Sequence, residues 1–155
     1  MMQSIKKFFG YGVFLVAVGI AVLYGSEYVR YKNSPEYRAT KDMEKLVKQY
    51  ADDPYGGNTP EETLALFISA LKQGDTDLAA KYFILDKQEK WKNDLLEIKE
   101  RGFLEEMVRD LERAKKTREE LEEVFYTLTN EENIVALQLI IGKGVYSQRW
   151  KIYEL

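Results

Sequence analysis

Between Phe8 and Gly25 the chain reads FFGYGVFLVAVGIAVLYG, with no charged side chain anywhere in the run. As an α-helix this stretch rises roughly 27 Å, close to the hydrocarbon thickness of a bilayer. Lys6 and Lys7 precede it. Phe8, Phe9 and Tyr11 stand at one end, and Tyr24, Tyr28 and Tyr31 at or beyond the other, as interfacial aromatics do. A soluble domain could hold such a helix only by covering every face of it. We therefore read residues 8–25 as a single-pass transmembrane anchor and residues 1–7 as its N-terminal tail. A cleaved signal peptide is the competing reading, but its apolar core is usually about 7–15 residues long. Leu23 and Tyr24 are also bulky where cleavage requires small side chains, and no cysteine follows that could carry a lipid.

Orientation rests on the basic residues. Lys6 and Lys7 lie directly against the apolar core, whereas Arg30, Lys32, Arg38 and Lys41 are spread along the other side. The compact pair favours an internal amino terminus and an extracytoplasmic domain. Within the anchor, Ala17, Ala21 and Gly25 recur every fourth residue, a small-residue ridge that is a candidate for transmembrane self-association.

The 155 residues include no Cys and no His. That leaves no disulfide framework, no thiolate chemistry and no Ser-His or Cys-His pair, and it removes the usual ligands of zinc and copper. Carboxylates could still hold Ca²⁺ or Mg²⁺, but Asp75-Thr76-Asp77 is too short for a calcium loop and reads as a helix start. Neither a metal nor a cofactor is expected. Residues 59–155 carry 15 basic and 20 acidic side chains, so the globular part is acidic, which argues against nucleic acid and anionic lipid as partners.

Downstream of the anchor, Ser34-Pro35 marks a helix start, with Ser34 as cap and Pro35 in the first turn. Ala39, Met43, Leu46, Val47 and Tyr50 follow at helical spacing and make an amphipathic stalk helix. Asp52-Asp53-Pro54-Tyr55-Gly56-Gly57-Asn58 reads as a flexible linker, so residues 26–58 form stalk and linker and residues 59–155 the domain. Thr59-Pro60-Glu61-Glu62 is a capping box opening a helix with Leu64, Phe67, Ile68 and Leu71 on one face, closed by Gly74. A short helix carries Leu78, Ala79, Tyr82 and Phe83. Another, from Asp86, turns Trp91, Leu95 and Ile98 inward; Gly102 interrupts it, and Phe103, Met107, Val108, Leu111 and Ala114 continue the helical period beyond. Residues 103–121 read as a charged helical stretch.

From about Glu122 the period changes to two, predicting three antiparallel strands: EVFYTLT, IVALQLII and VYSQRWKIYE. Gly142-Lys143 fits a two-residue turn that would set Ile141 opposite Gly144, Leu139 opposite Tyr146 and Val135 opposite Trp150. The expected fold class is α+β: anchor, stalk helix, then a helical layer on a three-stranded antiparallel sheet.

The segment TPEETLALFISALKQGDTDLAAKYF, followed by those strands, resembles bacterial envelope members of the cone-shaped, cystatin-like α+β superfamily named after nuclear transport factor two. The resemblance covers roughly residues 59–155, and its specific part is the quoted segment. In layout the chain is also similar to the periplasmic core component of type IV secretion systems. The resemblance implies a pocket between the helices and the concave sheet face; it does not imply a reaction, since the fold hosts enzymes, binding modules and assembly parts.

Ligand-pocket candidates are Tyr82, Trp91, Tyr126, Tyr146, Gln148 and Trp150, with Gln148 placed by the register on an otherwise apolar face where its amide needs partners. The aromatics serve equally as core. Pairs such as Glu105-Glu106 and Glu119-Glu120 sit among Lys and Arg and read as a solvated surface, and no catalytic residue emerges. The leading expectation is a non-catalytic, membrane-anchored interaction module that binds protein partners or its own copies. A domain binding a small apolar ligand in the helix–sheet pocket is second, and an enzyme with a His-free pocket third.

Overall fold

The structure, a computed structural model, describes residues 19–20, 24–130 and 134–155. The anchor segment 8–25, including Ala17 and Ala21 of the small-residue ridge, lies almost wholly outside the described residues. Among the described residues no helix is long and apolar enough to cross a membrane. The chain divides into two units, residues 1–46 and 47–155.

In the first unit residues 24–32 are helical, and a break at Asn33-Ser34 opens α1 (Pro35–Ala51), whose last residues belong to the second unit. Ser34 caps as expected: its hydroxyl oxygen accepts from the Tyr37 N–H at 3.1 Å, with Pro35 in the first turn. No residue of α1 is buried.

The second unit is α+β. Four further helices, α2 (Pro60–Lys72), α3 (Thr76–Ala80), α4 (Leu85–Glu100) and α5 (Leu104–Arg113), precede four strands, β1 (Lys115–Glu119), β2 (Glu123–Thr129), β3 (Val135–Lys143) and β4 (Trp150–Glu154). The strands form one antiparallel sheet in sequence order. Thr59 caps α2 by accepting from the Glu62 N–H at 3.1 Å. Glu62 reaches back one residue further than a capping box requires, accepting from the Asn58 N–H at 2.6 Å. Asp75 caps α3, and Gly74 and Gly102 turn the chain at φ of 67° and 79°, a region that glycine enters without Cβ strain.

The sheet presents Val124, Tyr126, Leu139, Ile141 and Ile152 to the helices, which contribute Phe67, Leu71, Ala79, Trp91, Leu95, Val108 and Leu111. Phe83 sits at the centre, edge-on to Phe67 (5.5 Å between centroids) and stacked on Trp91 (4.5 Å). Such pairs add about 0.5–1.5 kcal/mol to their area burial. Along β2 and β3 the inward face alternates with period two, with Val124 opposite Ile141 and Tyr126 opposite Leu139.

The structure corrects three expectations. The sheet has four strands rather than three, because Lys115–Glu119, expected to be helical, pairs with β2. All five of its residues are exposed, so no apolar alternation marks it; pairing with the apolar β2 draws it into the sheet.

The β3–β4 register is also different. Ile141 pairs with Ile152 instead of Gly144, and residues 144–149 form a loop closed by the Gly144 N–H donating to the Arg149 carbonyl at 2.8 Å. The displacement from Gly144 to Ile152 is an even number of residues, so the even-numbered face still points inward, now through Trp150 and Ile152, while Tyr146 and Gln148 leave the sheet.

Residues 52–58, expected to be a flexible linker, are packed against β4. The Trp150 N–H donates to the Gly57 carbonyl at 3.0 Å. A Cβ on Gly56, whose φ is 109°, would meet the Trp150 carbonyl oxygen at 2.3 Å. Here the paired glycines permit close backbone approach, not flexibility.

Candidate functional site

Two segments pair with the outer edge of β4, and α2 and α4 add side chains to the same junction. The edge pairs with Gly57 on one stretch and with Phe83 on the next, the Ile152 N–H donating to the Tyr82 carbonyl and the Ile84 N–H to the Ile152 carbonyl. Thr63, fully buried on α2, ties these together: its hydroxyl donates toward the Trp150 carbonyl at 3.0 Å and accepts from the Gly57 N–H at 2.9 Å. Lys87 adds an ion pair with Glu154 and donates to the Tyr153 carbonyl.

At the centre of this junction lies a buried ion pair. Lys151 is 4% exposed, and its Nζ donates to Asp53 Oδ2 at 2.7 Å and to the Lys81 carbonyl at 2.9 Å. The Asp53 side chain is 6% exposed and also accepts from the Tyr55 N–H at 3.0 Å, with Gln88 Nε2 at 3.4 Å. Burial lowers the pKa of the Lys151 ammonium and Asp53 opposes that shift. With two acceptors already engaged, Lys151 is held as a donor, not presented as a free nucleophile.

Beside the pair is a hollow of about 110 Å³ lined by Tyr50, Ile84, Leu85, Tyr146 and Tyr153 together with Lys151. The Tyr50 ring lies 6.3 Å from that of Tyr146. Burial, and then the neighbouring Asp86 carboxylate, push the Tyr50 phenol up to about 12. Two larger hollows, of about 570 and 540 Å³, lie at the α4–α5 corner and beside the start of β1, and charged side chains contribute to both walls.

The six residues expected to line a pocket do not converge. Tyr82 is buried and edge-on to Tyr55 at 6.4 Å. Trp91 is buried in the core with its indole Nε1 unpartnered. Tyr126 is buried, its hydroxyl donating to Glu61 Oε1 at 3.2 Å; burial, then Glu61, raises its pKa. Trp150 is half-buried against the core. Tyr146 is 51% exposed and borders the hollow. Gln148 is exposed in the loop at φ 56° and donates to the Val145 carbonyl, so it is not on the apolar face that the expected register gave it.

Asp53 and Lys151 escaped the sequence reading. In alternation with Trp150 and Ile152, Lys151 reads as an outward strand residue, and Asp53 reads as part of a polar linker. The one signal was Gly56-Gly57, whose close-packing meaning depends on a partner strand far along the chain. Among the described residues no group of three or more carboxylates is placed to hold a metal ion. No protein-family model matches the chain, and no match is found among curated proteins or solved structures.

Proposed function

We propose that the chain is a non-catalytic interaction module of the cell envelope, anchored by residues 8–25 as a single-pass membrane helix, with its domain on the extracytoplasmic side. Its task is contact with protein partners or with its own copies, and the domain is a cone-like member of the superfamily that the sequence resembles. The observation that carries this reading is the closed interior. Phe67, Phe83, Leu95, Leu111, Val124, Leu139, Ile141 and Ile152 fill the space between helices and sheet with almost no exposure. That is where a small apolar ligand or a substrate would have been expected, so the space between helices and sheet is not left open to one.

The apolar stripe of α1 supports the same reading. Met43 and Leu46 are exposed on a helix that buries none of its residues. Stripes of this kind, spaced at three and four residues, fit against another helix.

The test is the mass of the full-length protein in detergent, measured by light scattering after gentle extraction from membranes. An oligomer or a stoichiometric complex is expected, reduced to the lone chain by Met43→Glu and Leu46→Glu with the unfolding temperature of the domain unchanged. A lone wild-type chain would contradict the proposal. In sealed vesicles the domain is expected to resist protease added from the cytoplasmic face; digestion from that face would reverse the orientation.

A further inference from the structure

The hollow beside the buried ion pair has features that structural packing leaves unexplained. At about 110 Å³ it is well below the roughly 300 Å³ at which drug-sized pockets begin, so it suits a group of only a few non-hydrogen atoms. Its lining is mostly apolar or aromatic: Ile84, Leu85, Val145 and the rings of Tyr50, Tyr146 and Tyr153. Lys151 forms part of its wall and is 4% exposed.

An ammonium carries three N–H donors. Asp53 Oδ2 and the Lys81 carbonyl take two of them. The Tyr55 ring, with its centroid 5.9 Å away, is too distant to accept the third as a hydrogen bond. The third donor has no protein acceptor, and Lys151 is among the residues that line the hollow; an unmet buried donor carries a desolvation penalty that an acceptor would relieve.

Charge decides what kind of acceptor fits. Asp53 already balances Lys151 at 2.7 Å, and the Asp86 carboxylate stands beside Tyr50. A second anion would crowd both carboxylates, and a cation would face the ammonium. A neutral oxygen meets neither objection.

We propose that this hollow binds a small neutral carbonyl compound, a short amide or ketone, whose oxygen accepts from Lys151 while its alkyl part lies against Ile84, Leu85 and Val145. The back wall is rigid, since β4 and residues 82–84 are hydrogen-bonded to each other. The outer wall is the 144–147 stretch of the β3–β4 loop, where Val145 is 70% exposed. This site shares Tyr50 with the stripe of α1 but includes neither Met43 nor Leu46, and it stands whether or not the chain self-associates.

The test is amide chemical-shift titration of the full-length protein in detergent with N-methylacetamide, and with acetate and methylammonium at matched concentrations. N-methylacetamide is expected to saturate in the millimolar range, with shifts confined to residues 84–85, 144–147 and 151, while the two ions give no saturable change. Lys151→Met alone leaves Asp53 buried without its cation and could unfold the domain. The double substitution Asp53→Leu with Lys151→Met removes the charge pair together and is expected to weaken binding at least tenfold. Val145→Trp, at an exposed rim position, is expected to block the hollow without loss of the fold. Absence of saturable shifts, meaning water alone fills the hollow, would overturn the proposal. So would acetate binding as tightly as the amide, or unaltered binding in the charge-free double variant.

Discussion

At one edge of the sheet, β1 carries Lys115, Lys116, Arg118 and Glu119 and is exposed along its whole length; at the other, β4 is covered by two chain segments and sends Lys151 into a buried ion pair. Lysine appears at both edges in opposite roles. On β1, charge is left in water, where it disfavours pairing with another strand at little cost. On β4, a lysine that would ordinarily point to solvent is buried by residues 52–58 and 81–84. Its charge has meaning only through Asp53 and the Lys81 carbonyl. An edge can thus be closed by exclusion or by attachment, and here attachment is what builds a cavity.

The largest effects are expected on the attached edge. Asp53→Ala or Lys151→Ala leaves a buried charge without its partner and is expected to cost about 3–5 kcal/mol in urea unfolding. Lys116→Ala, which breaks exposed ion pairs with Glu61 and Glu119, is expected to cost about 1 kcal/mol or less. Comparable losses at the two lysines would erase the distinction between the edges.

Gly56→Ala comes next, at about 2–3 kcal/mol, since it combines a left-handed φ of 109° with a Cβ driven into the Trp150 carbonyl. Thermal unfolding of this variant checks whether residues 52–58 are part of the folded unit. A neutral result would restore them as a linker.

A third effect is visible as pH dependence. The Tyr50 phenol, raised from 10.0 to about 12, contributes stability that is complete below pH 10 and lost as pH rises through about 12. Lys151 acts in the opposite sense. Its lowered folded value means that the unfolded chain holds more protons up to pH 10.5, so its contribution rises with pH across that window. Tyr50→Phe is expected to flatten the decline in stability between pH 10 and 12, read from urea midpoints; an unchanged decline would remove Tyr50 from the account.

The smallest effect belongs to β1. The Arg118 guanidinium lies 3.8 Å from the centroid of the Phe125 ring on the face away from the helices, and Arg118→Ala is expected to cost about 0.5–1 kcal/mol. A loss near that of Lys151→Ala would mean that β1, too, is an attached edge.

Much of the helical layer was legible in the sequence because its signals are local. Thr59-Pro60 and Asp75 mark helix starts, Gly74 and Gly102 mark ends, and Phe67, Leu71 and Leu95 recur at helical spacing. The core face of β2 and β3 was legible for the same reason. What escaped depends on distant partners. KKTRE has no apolar alternation and becomes a strand only through β2. Gly142-Lys143 imitates a tight turn, but burying Ile152 while matching Trp150 to Gly57 draws the register further along the chain. The candidate site was the least legible part, because Asp53 and Lys151 are 98 residues apart in sequence and neither has a local pattern that announces burial.

The Asp53–Lys151 pair fastens residues 52–58 to β4 and so forms part of the wall of the cavity. A double-mutant cycle with Asp53→Ala and Lys151→Ala, read by urea unfolding, tests it most directly. A coupling energy of about 2–3 kcal/mol is expected, the double variant being far more stable than the two single losses added together. Losses that add to within about 0.5 kcal/mol would show that the two side chains act independently and would contradict it.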